Sequence, residues 1–293
     1  MKITKSKALL ADTGLFYAAA IWGSTFFIVK NALEGIDPIV MVAFRFLLAG
    51  IILLGYLIYK KKNIFSNLKT SFFLAIILVF LYIPQTVGLK YTTASNSGFI
   101  TGLFVAFIPL FLRFIFKVKP KIMEIIASVV SLLGLWILTG GMKDINYGDT
   151  LTLLAAVTYA LHVLFSDKYM KQGLDPIIVS CQQFLFVGLM SLAYALILDL
   201  PLEITSTYAW KATIFLAIFP TLSAFLIQMF AQKIRSPLRV SFIFALEPVF
   251  AALFAWTLGN EEVISHRAIG GCLIFAALII SGLPSPSFFT KKN

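Results

Sequence analysis

Charge is scarce in this chain. Of its 293 residues, 13% are charged and 60% are hydrophobic, with a mean hydropathy of +0.94. A soluble domain carries about 25% charged and about 45–50% apolar residues. So few charges cannot cover a water-facing surface, which excludes a disordered chain and an ordinary cytosolic enzyme. Cysteine is nearly missing: Cys181 and Cys272 both lie inside apolar runs, so there is no disulfide framework and no Cys-rich metal motif. Histidine occurs only as His162 and His266. The sequence contains no Gly-rich phosphate loop, no H-E-x-x-H and no G-x-S-x-G. No enzymatic activity, no cofactor and no metal site are expected.

What is abundant is apolar sequence in long runs. A membrane-spanning helix needs roughly 20 such residues. Runs bounded by charge or turn signals lie near 13–31, 39–59, 70–89, 97–116, 122–140, 149–167, 177–198, 210–230, 237–258 and 267–284. The first is longer than a signal-peptide core and is followed by Lys30-Asn31-Ala32-Leu33-Glu34, which reads as a retained span. The fold class expected is an all-α membrane protein with ten transmembrane helices and short connections.

The net charge of +11 raises nucleic acid as a partner, but its distribution argues against that. With the N-terminus inside, the inner segments hold 18 of the 24 basic residues and the outer ones 5, with Arg45 inside a span. The outer segments hold Glu34, Asp37, Asp144, Asp149, Asp199, Glu203, Glu261 and Glu262 instead. The positive-inside rule then places both termini in the cytoplasm. The partners expected are a lipid bilayer and a small-molecule substrate, with no nucleic acid.

The chain also repeats itself. Gly35-Ile36-Asp37-Pro38-Ile39 recurs as Gly173-Leu174-Asp175-Pro176-Ile177, an offset of 138, and Phe46-Leu47 and Gly50 recur as Phe184-Leu185 and Gly188. Pro84 pairs with Pro220 and Pro109 with Pro248 at nearly the same offset. Each in-span proline breaks a helix ladder at a set depth, which makes chance alignment of apolar segments the weaker explanation. The halves are 1–143 and 144–293, with five spans each. An odd number turns the second half upside down relative to the first. Inverted repeats with Pro-broken helices point to an alternating-access transporter, its halves rocking about a midplane site.

Several motifs carry a family resemblance: Trp22-Gly23 in span one, Phe44-Arg45-Phe46-Leu47 in span two, Leu89-Lys90-Tyr91-Thr92-Thr93-Ala94-Ser95-Asn96 entering span four, and Leu246-Glu247-Pro248-Val249-Phe250 in span nine. With these the chain resembles the EamA branch of the drug/metabolite transporter superfamily, as two tandem units over nearly its whole length. The second unit departs from the pattern, with Gln183 where the first has Arg45. The resemblance implies transport of a metabolite such as an amino acid or amine across a bacterial-type inner membrane, with export favoured. It implies that spans one, three, four, six, eight and nine line the cavity, and that spans five and ten sit at the edge, where they are placed to pair protomers as a homodimer.

Polar residues inside a bilayer mark candidate sites. A charge there costs roughly 2.5–3.5 kcal/mol on insertion scales. Glu247, beside Pro248, reads as a protonatable coupling site or cation ligand, or else as a carboxylate that satisfies backbone near the proline. Arg45 offers a bidentate fork for a carboxylate or snorkels outward; because span two is peripheral by resemblance, the structural reading is preferred. His162 shares a helix face with Tyr159 and Ser166 and is a candidate for substrate or proton contact. Under the repeat, Trp22 aligns with Tyr159 and Thr25 with His162. Tyr82, Gln85 and Asn96 are further substrate-binding candidates, although small polar residues also join helices without lining a site. Trp22, Phe99, Tyr159 and Phe242 are the expected aromatic walls, suited to flat solutes and cations. Pro84, Pro109, Pro220 and Pro248 are structural. The alternatives are an uncoupled uniporter or exchanger and, remotely, an intramembrane enzyme or receptor.

Overall fold

A computed structural model describes residues 5–139, 145–257 and 265–283. The expected half boundary at 143 and 144 and the loop charges Lys2, Lys143, Asp144, Glu261, Glu262, Lys291 and Lys292 lie outside them. The described residues form helices and no strand. In chain order these are α1 (Lys5–Ala32), α2 (Pro38–Tyr59), α3 (Leu68–Gly88), α4 (Ala94–Gly102), α5 (Phe104–Phe114), α6 (Ile122–Thr139), α7 (Tyr147–Lys171), α8 (Pro176–Ile197), α9 (Thr207–Leu216), α10 (Ala224–Gln232), α11 (Pro237–Phe244), α12 (Glu247–Thr257) and α13 (Ser265–Ser281). A π-helical segment, Ala217–Ser223, joins α9 to α10.

Among the described residues, seven helical stretches are long and apolar enough to cross a membrane: Lys5–Ala32, Pro38–Tyr59, Leu68–Gly88, Asn96–Phe114, Tyr147–Lys171, Pro176–Ile197 and Thr207–Gln232. Two more, Ile122–Leu138 and Ala268–Ser281, are apolar but shorter. The stretch expected as span nine is divided at Ala245-Leu246 into α11 and α12. Pro248 explains the division: it cannot donate a backbone hydrogen bond or follow an undistorted turn, and it is tolerated in the first turn of α12.

Local chemistry starts the two helices of the repeated motif. Asp37 caps α2 by accepting from the Ile39 amide at 2.8 Å, and Asp175 caps α8 by accepting from Ile177 at 2.9 Å. In each case proline is the first helical residue, where its missing N–H costs nothing. The motif is therefore a helix start used twice.

α2 then packs along α8. A Cβ on Gly50 would meet Leu185 at 2.8 Å, and one on Gly188 would meet Leu47 at 2.6 Å. The contact is reciprocal: each helix offers a glycine to the other's leucine. α6 and α13 do the same with backbone, since a Cβ on Gly134 would meet the Gly270 carbonyl and one on Gly270 the Gly134 carbonyl. Close backbone approach of this kind is how helices associate in lipid. Here α6 and α13, expected at a protomer edge, bury that surface against each other.

Polar contacts close the two ends of the bundle. At the end holding the α1 N-terminus, Asp12 is gripped by Arg235 through both carboxylate oxygens and by Arg239 at 3.3 Å. At the opposite end, Lys90 lies 3.6 Å from Asp37 and the Thr205 amide donates to the Gly35 carbonyl at 2.8 Å.

Candidate functional site

The π-helical segment sets up the site. Pro220 has no N–H for the Leu216 carbonyl, and the Thr221 hydroxyl donates to that oxygen instead at 2.7 Å. The widened turn leaves two further groups usable. The Pro220 carbonyl accepts from the Trp22 indole N–H at 2.9 Å, and Thr221 Oγ1 accepts from Arg45 Nε at 3.0 Å. One proline thus fixes an aromatic side chain from α1 and a cation from α2. Gly23 completes the α1 wall: a Cβ there would lie 2.6 Å from the Glu247 carbonyl. The missing side chain lets α12 come up beside Trp22.

Around these groups lies a narrow cleft lined by residues of α1, α2, α3, α4, α7, α10 and α12. It runs from Trp22 and Tyr159 inside the bundle toward Val29 and Leu89, near the end where α1 and α3 finish. Its aromatic wall is continuous. Trp22 meets Phe225 edge-on at 5.3 Å and Phe244 at 4.7 Å between centroids. Tyr82 lies 4.8 Å from Phe46 and 6.0 Å from Phe225. Such edge contacts suit the ring quadrupoles.

Two charged side chains face this cleft. Glu247 is 6% exposed and accepts from the Tyr159 hydroxyl at 3.1 Å. Arg45 is 3% exposed, and its guanidinium carbon lies 4.8 Å from the Tyr82 ring centre. Gln85 extends the polar lining, donating to Thr101 Oγ1 at 2.9 Å. Thr25 turns its hydroxyl back on the Trp22 carbonyl at 2.7 Å.

Of the residues singled out from sequence, Trp22, Thr25, Tyr82, Gln85, Tyr159 and Glu247 all line the cleft. Asn96, Phe99, His162 and Phe242 do not. Asn96 lies in the first turn of α4, where its amide takes the Thr93 cap. Phe99 turns to Trp136, 6.3 Å away. Phe242 is buried, but Phe244 is the ring that reaches Trp22 and Tyr159. His162 is fully buried beside Gln183 Oε1 at 3.2 Å and Ser166 at 3.4 Å. Phe225, which lines the cleft, meets the His162 ring edge-on at 5.8 Å.

Arg45, assigned to a structural role from sequence, reaches the cleft as well as Thr221. Sequence reasoning missed Phe26, Thr101 and Phe225. Phe26 follows Trp22 by one helical turn, a signal that was there to use. Phe225 carries none, being one of 29 phenylalanines.

Comparison with known proteins places this geometry. The family model for the EamA-like transporter family matches twice, at residues 9–140 and 146–283. An uncharacterised transporter of Archaeoglobus fulgidus is 30% identical over 277 residues, covering 94% of this chain and 87% of its own. A protein of Chlamydia muridarum named as an S-adenosylmethionine/S-adenosylhomocysteine transporter is 26% identical over 272 residues, 85% of this chain and 84% of that one. A solved crystal structure at 18% identity superposes with a TM-score of 0.80, covering 96% of this chain and 99% of the other. At that identity the likeness is one of fold alone.

Proposed function

The chain belongs to the EamA-like transporter family, and from that premise we propose that it is a secondary transporter of a small organic metabolite, amino acid or amine-like, working by alternating access. It is a multi-pass membrane protein. We place it in the cell inner membrane with both termini cytoplasmic, as ten spans in two inverted repeats over 1–143 and 144–293. The two family matches and the reciprocal glycine contacts support the repeat: Gly50 and Gly188 are 138 residues apart and exchange Leu185 and Leu47. A two-fold axis between helices makes contacts of that kind, in which i meets j and j meets i.

The observation that carries the reading is the cleft itself, lined by both Glu247 and Arg45. A carboxyl group buried at that depth is a functional-site candidate by default. Glu247 is proposed to bind the proton or the solute's cation, one excluding the other, which couples the two fluxes. His162 remains a second coupling candidate, one side-chain layer back from the cleft. Export as the direction rests on the family resemblance alone.

The test is flux into proteoliposomes under an imposed pH gradient, using pooled labelled amino acids, amines, nucleosides and S-adenosylmethionine. Accumulation that vanishes when the gradient is collapsed is the expected result. Equilibration that ignores the gradient would make the protein a uniporter or exchanger and return Glu247 to a structural role. No saturable flux of any solute would overturn the transport reading. A C-terminal reporter active only outside the cell would overturn the orientation.

A further inference from the structure

Resting on the transport reading, we infer that Arg45 is a substrate-binding residue and that the cleft selects a solute carrying both a carboxylate and a cationic nitrogen. Arg45 and Glu247 are opposite charges on one cleft, yet among the described residues neither lies within 4.0 Å of an oppositely charged partner. The ion pairs that are present sit toward the ends of the bundle, at Asp12, Asp37, Asp167 and Asp175. Two buried charges that attract one another gain most by meeting, because each is costly alone in a low-dielectric interior. Here the bonds described above hold them apart. Thr221 fixes Arg45 through Nε, and Tyr159 fixes Glu247 through one carboxylate oxygen.

That arrangement leaves chemistry on both sides. With Nε bonded to Thr221, the terminal guanidinium nitrogens, beside the Tyr82 ring, are the atoms left to meet a planar carboxylate. Glu247 keeps a second oxygen for an ammonium or other cationic nitrogen. On the same cleft Trp22, Tyr82, Tyr159 and Phe225 offer ring faces and edges to an apolar or flat body and to the cation. A purely structural arginine would need only the Thr221 and Tyr82 contacts, and need not line the cleft.

The experiment is a set of thermal-stabilisation titrations of the full-length protein in detergent. The ligands are the twenty L-amino acids, then, for each that binds, its α-amide and its des-amino carboxylic acid. At least one amino acid is expected to stabilise saturably, with the amide and the des-amino acid each binding at least tenfold more weakly. The wild-type comparison requires no variant to fold. In Arg45→Gln the gap between the amino acid and its amide should close, and in Glu247→Gln the gap between the amino acid and its des-amino acid should close. An amide that binds as tightly as its parent would overturn the inference, as would an Arg45→Gln protein that keeps the gap. Saturable flux of a neutral or singly charged solute, with no amino acid binding, would also overturn it while leaving the transport reading intact.

Discussion

Arg45 and Gln183 hold the same place in the two matching segments, eighth in α2 and eighth in α8, yet they do opposite things. Arg45 reaches the cleft and bonds to Thr221 beyond Pro220. Gln183 meets His162, away from the cleft. Pro84 and Pro220 are likewise matched, yet Pro84 sits inside the unbroken α3 and Pro220 inside a π-helical turn. Trp22 uses its N–H on the Pro220 carbonyl, whereas Tyr159, its counterpart, uses its hydroxyl on Glu247. The repeat duplicates a scaffold of caps, glycines and prolines. The chemistry differs at matched positions, and both halves contribute to the cleft.

That contrast can be broken at its charged end first. Glu247→Gln is expected to abolish gradient-driven accumulation while sparing exchange at saturating solute. Flux measured with and without a pH gradient decides it, and unchanged accumulation would remove Glu247 from coupling. Next, Gln183→Arg makes the halves alike in sequence but gives the second charge no cleft to face. It should destabilise the protein by about 2.5–3.5 kcal/mol, read from denaturant unfolding in micelles. Wild-type stability would mean that the second half also has room for a cation.

Thr221→Val removes a hydroxyl that serves both the Leu216 carbonyl and Arg45. A loss of about 1–3 kcal/mol is expected from the unsatisfied groups, together with weakened solute binding. A stability loss with unaltered binding would detach Arg45's anchor from the site. The smallest effect is assigned to His162→Gln, which keeps a polar group beside Gln183. Its flux should stay within about twofold of wild type, a shift of a few tenths of a kcal/mol. A loss as large as that of Glu247→Gln would bring His162 into the coupling path after all.

Much of this was legible in sequence because polar and aromatic groups inside apolar runs are conspicuous. Trp22, Tyr82, Gln85, Tyr159 and Glu247 stood out for that reason and share one cleft. The failures have geometric causes. Tyr159 and His162 are three residues apart, which turns them about 60° from each other and sets them about 4.5 Å apart along the axis. That is enough for Tyr159 to meet the cleft and His162 to meet α8. Phe242 and Phe244 point in nearly opposite directions for the same reason, and only the second faces Trp22. Arg45 reaches the cleft lining from a helix expected to be peripheral because its side chain is long enough to cross to Thr221. The Gly-[Ile/Leu]-Asp-Pro-Ile motif marks the internal repeat in sequence, and its physical content is an N-cap followed by a first-turn proline.

The glycine–leucine exchange between α2 and α8 bears on how such a molecule can move. Two helices with interlocked teeth cannot slide by a residue without driving a leucine into the other's backbone. They travel as a single strut, although one comes from each half of the sequence. α6 and α13, seated glycine to glycine, form a second strut of mixed parentage. A rocking motion that keeps these contacts must therefore carry each strut whole, with one helix from each half of the sequence. The joints left to flex are those spanned by single side chains, such as the Arg235–Asp12 clasp at one end of the bundle and the Trp22 bond to the Pro220 turn within it.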